Sequence, residues 1–206
     1  MSYILSTSVT QVRSLINESS ANFWSDTEIQ NWIKEATIDV SSKLLSAESE
    51  DDITIVNGQW IYVFSDEAWL ANLLKVKGCY YDAGSGAVKG LQRVDIQKMG
   101  HLQVATGVPK YFFENNRTFY IWPIPQAAHA GKTITVLNAY ETDDVTALRD
   151  EHQPLTFLYA AAKAKAKDRM FQESALYMAQ YLNSINFERQ DKYDMGVDPT
   201  TTFNLP

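Results

Sequence analysis

Apolar residues recur at helical spacing near both ends of the chain and alternate at strand spacing between them. Val9, Val12, Leu15 and Ile16 share one helical face, and Ser8 with Gln11 three residues on has capping-box spacing, so a short helix is predicted over about residues 8 to 18. A second helix is predicted from Ser25, which forms a capping box with Glu28, through the stripe Ile29, Trp32, Ile33, Ala36, Val40 and Leu44. After Leu45 the run from Ser46 to Asp52 has no apolar period. It predicts a solvated acidic linker, with a boundary near residue 50.

From 53 to about 142 the period becomes that of strands. Ile53 to Val56 and Gln59 to Phe64 flank Asn57-Gly58, the pair that most favours a tight hairpin, because both positions tolerate positive φ. Further strands are predicted over Leu73 to Tyr81, Tyr111 to Glu114, Arg117 to Trp122 and Thr133 to Tyr140, with Asn115-Asn116 as a turn. Leu91 to Met99 reads as a short strand running into one helical turn. The pair Tyr111-Phe-Phe113 and Phe119-Tyr-Ile-Trp122 is apolar on both alternating faces, which calls for cover on both sides, from a core or from another subunit.

Helical spacing returns after about residue 148. Leu155, Leu158, Tyr159, Ala162 and Ala166 face one way, with Pro154 in a first turn where proline is tolerated. A last helix is predicted over about Gln172 to Gln190, with Leu176, Ala179, Leu182 and Ile185 as its buried stripe and Met178 and Tyr181 widening it. Beyond Asp191 no period remains, yet Tyr193, Met195, Val197, Phe203 and Leu205 are apolar anchors. The expected fold is therefore α+β: a helical bundle of two N-terminal and two C-terminal helices, with an inserted antiparallel β-sandwich or small barrel and an extended C-terminal tail. The expected limits are 1–50 and 146–191 for the bundle, 51–145 for the insert and 192–206 for the tail.

Composition adds little except through charge. Eighteen Lys plus Arg against twenty-five Asp plus Glu leave −7, with 45% apolar residues, in 206 residues. No run approaches the length of a membrane span, and the start carries no signal-peptide pattern, so a protein made in the cytoplasm is expected. An acidic balance argues against tight DNA binding, and suits a surface past which DNA slides. Lys163, Lys165, Lys167 and Arg169 are the one basic concentration, and two-residue spacing spreads them over different helix faces.

Candidate chemistry is thin. His101, His129 and His152 stand on separate elements without metal-site spacing, and Cys79 lacks an activating neighbour. Asp82 to Gly86 lacks the pattern of a phosphate loop and reads as a hairpin tip. The acidic clusters at Glu48 to Asp52, Glu141 to Asp144 and Asp150-Glu151 lack calcium-loop spacing. No catalytic residue, cofactor or metal site is expected.

The order of segments resembles the head-to-tail connector adaptors of tailed bacteriophages. Val9 to Asn17 followed by Trp24-Ser-Asp-Thr-Glu-Ile-Gln-Asn-Trp32-Ile-Lys-Glu-Ala36 is similar to the family's first two helices. Leu91-Gln-Arg-Val94, Gly107-Val-Pro-Lys-Tyr111 and Tyr120-Ile-Trp-Pro-Ile-Pro125 resemble its β marks, and Glu151 to Ala160 with Ala175 to Tyr181 its later helices. The stretch Phe64 to Trp69 departs from it, lacking the family's usual proline. The resemblance implies a dodecameric ring in the virion neck, bound to the portal protein and to a nozzle or other tail protein, with double-stranded DNA passing through. On that reading Tyr193, Met195, Val197, Phe203 and Leu205 bind the portal. Gly84, Ser85, Gly86, Phe112, Tyr120 and Trp122 would meet a tail protein or a neighbouring subunit. The alternatives are a cell-wall hydrolase or accessory enzyme of infection, or another neck or tail-terminator ring.

Overall fold

The computed structural model describes residues 3–18, 20–21, 23–63, 72–84, 88–95, 105–116 and 118–194. Among them the protein is α+β, with four α-helices and two four-stranded sheets. The helices are α1 (Leu5–Ile16), α2 (Asp26–Leu44), α3 (Gln153–Lys167) and α4 (Phe171–Asp194). The strands are β1 (Glu48–Thr54), β2 (Ile61–Val63), β3 (Leu73–Asp82), β4 (Val88–Gly90), β5 (Gln92–Arg93), β6 (Tyr111–Asn115), β7 (Thr118–Trp122) and β8 (Thr133–Tyr140). The chain divides into one compact unit of Met1–Ala47 and Thr142–Pro206, and a second of Glu48–Glu141.

In the helical unit, α1 begins earlier than its spacing suggests. Its N-cap is Ile4, which has no side chain to cap with, and Ser8 lies inside the helix, bonding back to the Ile4 carbonyl at 3.1 Å. The capping box of α2 forms as the sequence predicts, with Ser25 Oγ accepting from the Glu28 N–H at 3.2 Å. Val9, Val12, Ile16, Trp24, Ile29, Ile33, Phe157, Ala160, Ala161 and Ala164 make one core. Four fully buried alanines on α3, Ala160, Ala161, Ala162 and Ala164, let neighbouring helices approach closely. That packing accounts for the Ala/Lys alternation of this segment.

Helix α4 is rotated from the predicted face. Tyr181 and Ile185 are buried, whereas Leu176 and Leu182 are 59% and 43% exposed and Ala179 also faces out. Tyr181 turns inward because its hydroxyl finds a partner there, Asp39, so its large ring is buried without stranding the polar tip. The helical backbone also runs to Asp194, past the predicted start of the tail at 192.

In the second unit the sheet orders are β1-β8-β3-β4 and β2-β7-β6-β5. Among the described residues the named strands pair antiparallel except β5 with β6. Neither sheet closes on itself, so the small-barrel alternative does not hold. The predicted hairpin at Asn57-Gly58 is a turn without a hairpin. Gly58 has φ +75° and Gln59 N–H bonds to the Val56 carbonyl at 3.1 Å, but β1 pairs with β8 and β2 with β7, in different sheets.

The predicted acidic linker is strand β1. Its carboxylates have partners: Asn138 Nδ2 donates to Asp51 at 2.8 Å, Thr135 Oγ1 donates to Asp52 at 2.7 Å, and Lys77 pairs with Glu48. The strand predicted at Leu91 shortens to β5, and residues 96–104 lie outside the described range. Both sheets contribute to one core, in which Ile53, Val76, Cys79, Ile134 and Val136 meet Tyr62, Phe112, Phe119 and Ile121. Full burial of such side chains stabilises by roughly 1.5–3 kcal/mol each.

Candidate functional site

Glu35, Asp39 and Lys43 stand four residues apart on α2 and therefore share a face; Tyr159 and Lys163 do the same on α3. The two rows meet with Tyr181 of α4 in a cleft of about 460 Å³, lined also by Ile38, Ser42, Met178 and Leu182. Tyr159 Oη donates to Glu35 Oε1 at 2.6 Å and Lys163 Nζ to the same oxygen at 2.9 Å. Tyr181 Oη donates to Asp39 Oδ2, which also takes Lys43 Nζ at 2.7 Å. The two tyrosine rings meet edge to face at 5.4 Å, and Lys163 lies over the Tyr159 ring at 5.1 Å.

The electrostatics lock this cluster. Hydrogen bonds from Tyr159 and then Lys163 hold the Glu35 carboxyl below its ordinary range. The bond to Glu35 raises Lys163, while burial first and the carboxylate second raise Tyr159. Burial, then the bond to Asp39, pushes Tyr181 up strongly. Each group is thus fixed in the charge state it already has at neutral pH. A general acid or base needs the opposite shift, toward neutrality, so the arrangement can brace helices and bind a partner but is not poised to move protons.

At the other end of α2, Arg13 organises the loop from Asn17 to Ser25. Its guanidinium reaches Asp26 at 2.6 Å, Glu18 at 3.2 Å and the carbonyls of Trp24 at 2.8 Å and Ser20 at 3.2 Å. Glu18 Oε1 in turn accepts the N–H groups of Phe23 at 2.5 Å and Trp24 at 3.1 Å. The braced loop displays Phe23, 66% exposed, edge-on to the buried Trp24.

The residues singled out in the sequence distribute unevenly. Phe112 and Trp122 are buried within the subunit, Phe112 stacked on Phe119 and Trp122 edge-on to Trp60. Tyr120 is half-buried, stacked on Phe113 with centroids 4.3 Å apart. Gly84 stands in the turn between β3 and β4 with φ +76°, its N–H on Asp82 Oδ1 at 2.6 Å; Ser85 and Gly86 lie outside the described residues. Tyr193 falls in the last turn of α4, and Met195, Val197, Phe203 and Leu205 lie outside the described residues.

The basic run is neutralised across helices: Lys163 pairs with Glu35, Lys165 with Glu173 and Lys167 with Glu28. His129 Nδ1 lies 3.0 Å from the Tyr81 hydroxyl, and the buried His152 lies 2.7 Å from Ser46 Oγ; His101 is outside the described residues. Among the described residues no three His, Cys, Asp or Glu side chains group as a metal site would require. None of their helices is long and apolar enough to cross a membrane.

The described residues thus form an α+β protein with ion pairs across its helices, a braced aromatic loop and several exposed apolar side chains. The family model described as SU10 adaptor protein matches residues 4–201, so the chain belongs to that family. This agrees with the resemblance of its sequence to bacteriophage connector adaptors. No curated protein matches the chain.

Proposed function

We propose that this protein is a structural adaptor of a bacteriophage virion neck, forming a ring that joins the portal to the tail or nozzle and continues the DNA channel. The family match over residues 4–201 carries this reading. On it, the copies are twelve, the four helices of each form a bundle, and the bundles stand side by side around the channel. Duplex DNA passes without specific binding, a role that a net charge of −7 and the pairing of Lys163, Lys165 and Lys167 support.

Residues 195–206, following α4, are the proposed portal-binding tail, with Met195, Val197, Phe203 and Leu205 as anchors and Tyr193 at its root. Twelve extended residues reach about 40 Å, enough to cross to a neighbouring ring. Gly84, Ser85 and Gly86, with the strand pair that carries Phe112, Tyr120 and Trp122, are the proposed contact for the next tail component or a neighbouring subunit. The protein acts without cofactor or metal and is not an enzyme; the Glu35 carboxyl, held below its ordinary range, favours this over a hydrolase.

The test is the native mass of the full chain with and without the cognate portal ring, with imaging of the co-eluting species. A ring-shaped complex with many copies per portal is expected. A chain that stays monomeric and ignores the portal overturns the proposal.

A further inference from the structure

The rotation of α4 leaves an outward arc containing Ala175, Leu176, Ala179, Leu182, Asn183 and Phe187, and no charge. Leu176 is 59% exposed, Leu182 43% and Phe187 63%, together roughly 300 Å² of apolar surface, comparable with the largest apolar patch of a typical monomer, which is often functional. Through Arg189, the exposed charges of the helix are Glu173 and Arg189, and at about 100° per residue both fall at the borders of the arc.

Helix α1 has the same property. Its exposed positions are Ser6, Thr7, Thr10, Gln11 and Ser14, with Ile4 just before it 58% exposed, and its one charged residue, Arg13, is turned inward and buried. The exposed positions of α2 and α3, in contrast, include Asp26, Glu35, Lys43 and Lys167. Charge is depleted in this way at the cores of protein interfaces, because a charge buried there without a partner loses its hydration. In a chain of net charge −7, a contact between copies also has to keep like charges apart.

The two faces lie on different sides of the helical unit, as a head-to-tail contact requires. Helices α1 and α4 each pack on both α2 and α3 and touch each other little beyond the 2.8 Å bond from the Tyr177 hydroxyl to the Leu15 carbonyl. They hold diagonal positions, so their outer faces point away from each other. The exposed side chains of α1 are mostly short, and α4 supplies large ones to pack over them. Two α1 faces together would bury little apolar surface.

We infer that the outer face of α4 in one copy packs on the outer face of α1 in the next copy of this chain. This inference rests on the ring reading above and supplies the head-to-tail contact that a closed ring requires.

Cross-linking tests it. In the full chain, Thr10→Cys and Ala179→Cys place one exposed thiol on each face, while Cys79, 2% exposed, stays silent. Rings first verified by native mass, alone or on the portal, are treated with a short bismaleimide. The double variant is expected to give a ladder of covalent multimers, and each single variant none, since each contact then brings only one thiol.

Dimers from Ala179→Cys alone, a cross-link confined to one chain, or an intact ring without any ladder would overturn the inference and leave the ring reading standing. As a second arm, Ala179→Glu is expected to abolish ring formation with unchanged far-UV circular dichroism and unfolding midpoint. A ring that tolerates this charge would also overturn it. A wild-type chain that forms no ring, alone or with the portal, defeats the ring reading itself.

Discussion

The Arg13 guanidinium lies 2.6 Å from the Asp26 carboxylate, tying the last turn of α1 to the first turn of α2 across the loop between them. Arg13 is 7% exposed and also holds Glu18 and two loop carbonyls, so its removal leaves several acceptors without their donor. Arg13→Ala is expected to destabilise the protein by about 3 kcal/mol, read as a lowered urea midpoint. Arg13→Lys is expected to recover only part, since a single ammonium cannot span the same set of oxygens.

The Glu35 cluster gives a pH signature. A carboxyl whose folded pKa is lowered contributes stability that is full above its unfolded value, about 4.3, and is lost as pH falls through the folded value. The wild-type urea midpoint is therefore expected to exceed that of Glu35→Gln between about pH 6 and pH 8, and the two to converge as pH falls from about 4.3 through the lowered folded value. Because the Glu35 side chain is 50% exposed, the gap should stay under ~1 kcal/mol and shrink in high salt.

Burial pushes the Cys79 thiol up, and the side chain sits in the core shared by the two sheets. Native protein is expected to leave a disulfide reagent such as Ellman's reagent unreacted over hours, and to titrate one thiol per chain in denaturant. Rapid reaction of the native protein would show that this core opens readily.

Gly58 has φ +75°, and a Cβ placed there meets nothing within 4 Å. The effect of Gly58→Ala is thus one of backbone conformation alone, and a loss of about 1 kcal/mol is expected in denaturant unfolding. A larger loss would mean that the turn carries the β2 pairing with it.

Truncation after Asp194 keeps α4 whole and removes the proposed anchors. Co-elution with the portal is expected to fall at least tenfold while the unfolding midpoint stays unchanged. Undiminished portal binding would remove these residues from the joint.

Local signals carried much of the architecture. The Ser25 and Glu28 box and the three- and four-residue recurrence of Ile29, Ile33, Ala36, Val40 and Leu44 set α2 and its buried side, and Thr133 to Tyr140 is a strand over the expected span. What failed depended on distant partners. The alternation around Asn57-Gly58 is that of two strands, but nothing local says that β1 pairs with β8 and β2 with β7. On α4 two apolar stripes compete, and Tyr181 prevails over Leu182 because Asp39, 142 residues away, receives its hydroxyl.

The locked cluster was visible only in halves. The four-residue steps of Glu35, Asp39 and Lys43 and of Tyr159 and Lys163 are in the sequence, but their meeting is a property of helix packing. Phe112 and Trp122 read as surface or core from alternation alone, and the covering layers that put them inside are nonlocal.

Among the described residues strand β1 forms an outer edge of its sheet, with Glu50 and Asp52 exposed. An open edge with free backbone donors invites another strand, and many copies held close together multiply the opportunity. A strand approaching this margin meets a row of carboxylates, and an identical margin on another copy repels it. The acidic run therefore disfavours edge-to-edge pairing of this strand with its counterpart on another copy.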